Sequence, residues 1–414
     1  MIRRRTRWAT AFVALFVSGT AVADAPASGN NLFDSVVDLV EGRFYDAAAL
    51  PSFENIVRRI VEDPTAPLDA TSSSEQVNAA IGEVLASLHA SHTAHLVPGT
   101  TDYYELVDIF GSSLRRDLRR LFPQGNVSYD GVGMATRAFD GRVFVTDVYD
   151  GSSADRAGVL VGDEILSVNG EPFAELNTFD GMAGKAIEVQ VRRTVGADPL
   201  RINVDVEAQH PLDVFERAIA DSATVMERDG RNIAYIRLWT LAAPNSMRIV
   251  ARELIEGSLK DADGLVLDLR GRWGGGSADD AELFVGGTPT FHLNARDEPP
   301  DLANARWDRP VVAIIDDGAR SGLELFAYSL QANGIPLIGT RTAGALLGGR
   351  AFVLADRSLL VLAVADAVIG DGIRLEGVGV APDIEVPFDP RYAAGEDPQL
   401  DAAMQEMSRI LSAS

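Results

Sequence analysis

Between Asn31 and about Leu121 the apolar positions recur at three- and four-residue steps. Phe33, Val36, Val37, Val40 and Phe44 follow that rhythm, and Ile81, Val84, Leu85 and Leu88 repeat it. Such spacing gathers apolar side chains on one side of a 3.6-residue turn and predicts amphipathic helices. The intervening stretch Asp63 to Ser74 is rich in Asp, Pro, Thr and Ser and predicts a loop.

Near Asn126 the texture changes to short β segments. Arg142 to Val148, Ile187 to Arg192 and Leu200 to Val206 read as strands. Between them, Ser153 to Ala157 reads as a short helix closed by Gly158, and Val161 to Gly170 as a strand ending in an Asn-Gly turn. From His210 onward strands alternate with helices. Asn232 to Leu238, Leu265 to Leu269, Val311 to Ile315 and Pro336 to Ile338 predict strands. Helices are expected over Ser246 to Gly257, from Ala278, and over Leu323 to Gln331. That alternation predicts an α/β domain around a buried sheet. Pro398 to Leu411 predicts a terminal amphipathic helix.

The two ends and the charge narrow the class. Arg3, Arg4, Arg5 and Arg7 precede the apolar stretch Trp8 to Val17, and Ala21-Val22-Ala23 offers small residues for cleavage. This predicts a signal peptide over 1–23 and an exported protein, periplasmic or secreted. The apolar stretch is shorter than the ~20 residues a membrane span needs, so no stable membrane insertion is expected after cleavage. The chain of 414 residues carries 37 Lys and Arg against 60 Asp and Glu, a net charge of −23. Nucleic acid is thereby disfavoured as a partner, and very acidic peptides are expected to be poor ligands. With no cysteine, disulfides, thiolate catalysis and Cys-based metal sites are excluded.

Four segments hold candidate chemistry. In Val311 to Ala327 a buried strand runs into a turn, and a helix begins just after Ser321. A hydroxyl there lies beside free N–H groups at the positive end of a helix. It is either a nucleophile or an ordinary N-cap serine. Leu267 to Gly276 is a Gly-rich turn without the Gly-x-Gly-x-x-Gly spacing of a dinucleotide site. It reads as an oxyanion-binding strand end or as a structural turn. His89, His92 and His95 are spaced by three. On a helix they would spiral off one face with no carboxylate between them, so one catalytic His is favoured over a metal site. Glu376, among glycines in Arg374 to Ile384, could orient a His or be a solvated loop acid.

Taken in order, Ser91-His92-Thr93, Asp268-Leu269-Arg270-Gly271 with Gly274-Gly275, Ser321 with Glu324, Gly339 to Ala345, and Glu376-Gly377 through Pro382-Asp383 resemble the C-terminal-processing (tail-specific) serine protease family. The segment from Gly131-Val132-Gly133-Met134 through Asn169-Gly170 resembles a PDZ domain. One branch of that family uses a Ser–Lys dyad, but Ala345 stands where its Lys would be, and Lys185 and Lys260 are placed elsewhere. The tricorn-like Ser-His-Glu branch matches instead.

The resemblance implies Ser321 as nucleophile, His92 as base, Glu376 as the group that fixes the His tautomer, and Ser91 as an aid to positioning. It implies an oxyanion hole at the N–H groups of Gly274 and Gly322, and a nest at Gly131 to Met134 for the C-terminal carboxylate of a peptide or protein substrate. No metal or cofactor is expected. The implied organisation is multidomain α/β: signal peptide 1–23, N-terminal helical region 24–125, inserted PDZ-like β domain 126–208, ClpP/crotonase-like catalytic domain 209–390 and C-terminal helix 391–414. The alternatives are a catalytically inactive pseudo-protease whose PDZ domain binds peptides, and a metal hydrolase built on His89, His92 and His95.

Overall fold

The computed structural model describes residues 27–65, 67–294, 296 and 301–413. The expected signal peptide lies outside these residues. At its centre is a six-stranded sheet in the order Ile384–Glu385, Leu337–Gly339, Val311–Ile315, Gly264–Asp268, Arg231–Arg237 and Thr224–Arg228. All neighbours are parallel except the last pair. Every residue of Gly264–Asp268 and of Val311–Ile315 is buried. These strands are near-continuous apolar runs because helices cover both of their faces.

One face packs against the helices Pro211–Ser222, Ser246–Ile255 and Gly322–Ala332 around Trp239, Leu267 and Ile315. The helix Pro398–Ala413 covers the other face, setting Ala403, Met404 and Met407 against Ile233, Val266 and Val312. This helix, which the sequence places apart from the catalytic domain at residue 391, therefore packs on one face of that domain's sheet. A Cβ on Gly264 would lie 2.5 Å from the Met407 sulfur, so the strand is bare where the helix seats.

The N-terminal helices Asn31–Arg43, Leu50–Val61 and Ser74–Ala86 form as the periodicity predicts, the third started by a Ser73–Gln76 capping box. The helical pattern does not continue unbroken to Leu121. His89 and His92 adopt positive φ of 48° and 52°, and Ala94–Leu96 is a strand. It pairs antiparallel with Leu359–Ala365, which pairs in turn with Gly348–Val353. Leu354, Leu360 and Leu362 then join the apolar cluster of the N-terminal helices. The N-terminal region is thus welded to the catalytic domain by a three-stranded ribbon.

The PDZ-like part holds a five-stranded antiparallel sheet running in chain order from Met134–Phe139 to Leu200–Asp205. Gly158 ends its short helix with a left-handed φ of 81°, as the sequence predicts. Gly131, Val132, Gly133 and Met134 are all buried. Val132 and Met134 point into the domain's core. The Val132 carbonyl accepts from the Ala154 N–H and the Ser153 hydroxyl, and the Gly133 carbonyl from the Tyr149 N–H and the Ser152 hydroxyl. The residues of the expected carboxylate nest are therefore buried in this structure. Tyr149 locks the PDZ-like part to its neighbours: its ring meets Trp239 edge-on at 4.9 Å and its hydroxyl donates to Glu105 at 2.8 Å. Among the described residues no helix is long and apolar enough to cross a membrane.

Candidate active site

Ser321 sits where the strand Val311–Ile315 hands over to the helix Gly322–Ala332. Its backbone is at φ 56°, ψ −124°, a strained conformation for a residue with a Cβ. The strain is held by a group the sequence reading left without a role. Glu324 is fully buried, and its carboxylate accepts the N–H of Ser321 at 3.2 Å, of Gly344 at 2.7 Å and of Ala345 at 2.6 Å. It also accepts the Thr342 hydroxyl at 2.6 Å. The Ser321 N–H is shared with the Ala345 carbonyl at 2.9 Å. Glu324→Ala would take this acceptor from the N–H groups of Gly344 and Ala345 and from the Thr342 hydroxyl, while the Ser321 N–H keeps the Ala345 carbonyl. At ~1–3 kcal/mol for each such group, it is expected to lower stability by about 3 kcal/mol or more, read as a fall in the urea midpoint of unfolding.

Two glycines bring the expected oxyanion segments together. A Cβ on Gly322 would lie 1.8 Å from the Gly275 carbonyl oxygen. One on Gly274 would lie 2.3 Å from the Gly322 nitrogen and 2.6 Å from the Ser321 Cβ. Only bare backbone allows the turn after Gly264–Asp268 to touch the start of the serine helix. The Gly274 carbonyl is fixed by the Thr240 hydroxyl at 3.2 Å. The preceding side chains anchor on buried Glu105, which accepts from Arg272 Nε at 2.9 Å and Trp273 Nε1 at 2.5 Å.

His92 reaches the same place from the turn before the strand Ala94–Leu96. Next to it, Ser91 donates its hydroxyl to Glu376 Oε2 at 2.7 Å and its backbone N–H to Glu376 Oε1 at 2.8 Å. The Leu346 N–H also binds Oε2, at 2.9 Å. Ser91 Oγ lies 3.0 Å from His92 Nδ1. A carboxylate only accepts, so the single hydroxyl proton of Ser91 goes to Glu376. Nδ1 must then carry the proton it donates to Ser91 Oγ, which leaves the Nε2 lone pair free to act as a base. The resemblance gives Glu376 the role of fixing the His92 tautomer; in the structure the Ser91 hydroxyl stands between the two side chains.

Burial holds the His92 pKa below the ordinary histidine value. The Glu376 carboxylate opposes this shift and the Arg320 guanidinium adds to it. The ring has room because Gly349 has no side chain: a Cβ there would lie 2.8 Å from His92 Cδ2.

Ser91, His92, Gly274 and Ser321 line one cleft of about 600 Å³, walled by Leu106, Phe110, Leu347 and Val361. Ala345 lines it too. Lys185 is elsewhere, donating to the Gly181 carbonyl at 3.0 Å, and Lys260 is exposed after the helix Ser246–Ile255. The other two histidines of the trio do not gather with His92: His89 is exposed, and His95 Nε2 lies 2.7 Å from the Ser358 hydroxyl. Among the described residues no three His, Asp or Glu side chains are grouped to hold a metal ion.

Residues 232–386 match the model of peptidase family S41, and residues 144–193 that of a PDZ domain. Over 297 residues the chain is 26% identical to the carboxy-terminal processing protease CtpA of Bacillus subtilis, covering 67% of this chain and 59% of that one. It is 28% identical to tricorn protease homolog 1 of Streptomyces coelicolor, over 66% of this chain and 26% of that one. The chain thus spans less than two thirds of the length of either relative. Its fold is that of the photosystem II D1 C-terminal processing protease, with a TM-score of 0.50 at 22% identity over 89% of this chain and 97% of the other.

Proposed function

We propose that the chain is a peptidase of family S41, whose model matches residues 232–386, and that it is an endopeptidase cleaving peptide bonds through a Ser321 acyl-enzyme. The observation that carries this reading is the hydrogen-bonded line Glu376–Ser91–His92 opening into the cleft that Ser321 lines. In this mechanism His92 Nε2 takes the proton of Ser321 Oγ as that oxygen attacks the scissile carbonyl. The N–H groups of Gly274 and Gly322 bind the oxyanion. His92 then returns the proton to the leaving amine, and the amine departs. Water hydrolyses the acyl-enzyme with His92 again as base, regenerating Ser321. Glu376, through Ser91, steadies the imidazolium formed in each half.

The substrate is a peptide or protein. Recognition of its C-terminus at Gly131 to Met134 would require those buried residues to open. The relatives are named for carboxy-terminal processing, which favours substrates cut near that end. Work outside the cytoplasm rests on the leader-like residues Arg3 to Ala23.

The pH dependence of kcat/KM on an internally quenched peptide tests the role of His92. The base must be neutral, and burial holds its pKa below the ordinary histidine range. Activity should therefore persist as pH falls through the usual histidine range and decline only below it. An acid limb centred above that range would contradict the assignment.

A further inference from the structure

Arg320, the residue before Ser321, lines the cleft and forms no ion pair among the described residues, although the charges of Asp102, Glu324 and Asp317 are felt there. Its guanidinium carbon lies 5.4 Å from the centre of the Trp273 ring. Its Nε is buried with no hydrogen-bond partner. Nearby arginines are served differently. Arg272, 5.7 Å from the centre of the same ring, bonds both Asp102 and Glu105. Arg270 bonds Asp268 and Asp397, and Arg237 bonds Asp147. Asp102 also faces the cleft but is taken by Arg272.

A half-buried cation without a partner is costly, and a protein of net charge −23 has acids in plenty to supply one. A guanidinium is a rigid fork suited to a carboxylate. The contact with the Trp273 ring helps hold the guanidinium at the cleft wall.

Resting on the serine-peptidase reading above, we infer that Arg320 binds a carboxylate of the substrate beside the scissile bond, so the cleft selects peptides with an anionic group at that point. The carboxylate is either an Asp or Glu side chain or the free end of the peptide. This reverses locally the expectation from overall charge that acidic peptides are poor ligands. The pairing has a further consequence for His92. Arg320 depresses its pKa, and a carboxylate on Arg320 cancels part of that effect, giving a stronger base only when a fitting substrate is bound.

The test uses internally quenched peptides of one parent sequence. Glu and Gln are exchanged in turn over the three residues on each side of the cut, and each peptide is made with a free-acid and an amidated end. Wild type, Arg320→Gln and Arg320→Lys are compared, with rates referred to the sites titrated by a fluorophosphonate. The wild type should prefer the carboxylate form by about 10- to 100-fold in kcat/KM, mainly through KM. A Glu-over-Gln preference at one position identifies a side chain as the source, and an acid-over-amide preference identifies the chain end. Arg320→Gln should bring the ratio close to one, and Arg320→Lys should restore part of it. Equal cleavage of all forms by wild type, or a preference that survives in Arg320→Gln, overturns the inference. Failure of the wild type to react with fluorophosphonate overturns the peptidase reading instead, so the two failures are distinguishable.

Discussion

Ser321→Ala is expected to lower peptide hydrolysis by about 10⁴-fold or more, to whatever the oxyanion donors and substrate binding retain. The residue contributes the atom that forms the acyl bond, and no neighbour can replace it. Ser91 Oγ is committed to Glu376 and His92. No lysine lines the cleft. His92→Ala should cost a similar factor, because a neutral serine hydroxyl is a weak nucleophile without a base. The double variant should be little worse than either single one, since the two side chains act as a unit. Both variants should keep the thermal unfolding transition of the wild type, because Ser321 and His92 line a cleft rather than pack the core. Full activity in either variant would move the chemistry elsewhere in the chain.

Ser91→Ala is expected to lower kcat by about 10²- to 10⁴-fold with little change in KM, the span of general acid–base and tautomer effects. The hydroxyl is the link through which Glu376 reaches the ring. Without it, His92 Nδ1 loses its acceptor, the tautomer with a free Nε2 is no longer favoured, and the imidazolium forms without support. The variant is a clean probe of the link. Glu376 keeps its bonds from the backbone N–H groups of Ser91 and Leu346, so the loops it ties together should stay in place. If Glu376 instead touched the ring directly, removing the Ser91 hydroxyl would cost little. A near-wild-type kcat in Ser91→Ala therefore contradicts the relay.

Much of the frame is legible in the sequence because local spacing encodes it. Phe33 to Phe44 carries a helical stripe, and the all-apolar runs at 265–267 and 311–315 mark a sheet covered on both faces. What depends on distant pairing is not legible. The strand Ala94–Leu96 is three residues long and pairs with Leu359 to Val361, more than 260 positions away. For the same reason His92 belongs to a turn and not to a helix. Ser91 precedes His92 in the chain, but its acid partner lies 285 residues on. Only the folded chain shows that the serine stands between the other two. Glu324 could have been found locally, since a serine followed three residues later by a glutamate at a helix start is a capping box. Its grip on Thr342, Gly344 and Ala345 could not. The burial of Val132 and Gly133 likewise involves residues 149–154, which bond their carbonyls and which the glycine pattern alone does not reveal.

The measurement that bears most directly on the whole account is intact-mass analysis after reaction with a fluorophosphonate. Wild type should gain one adduct, placed on Ser321 by peptide mapping. Ser321→Ala should gain none, His92→Ala almost none, and Ser91→Ala should react slowly. An adduct on another serine, or labelling that persists undiminished in Ser321→Ala, would contradict the proposed Ser321 chemistry.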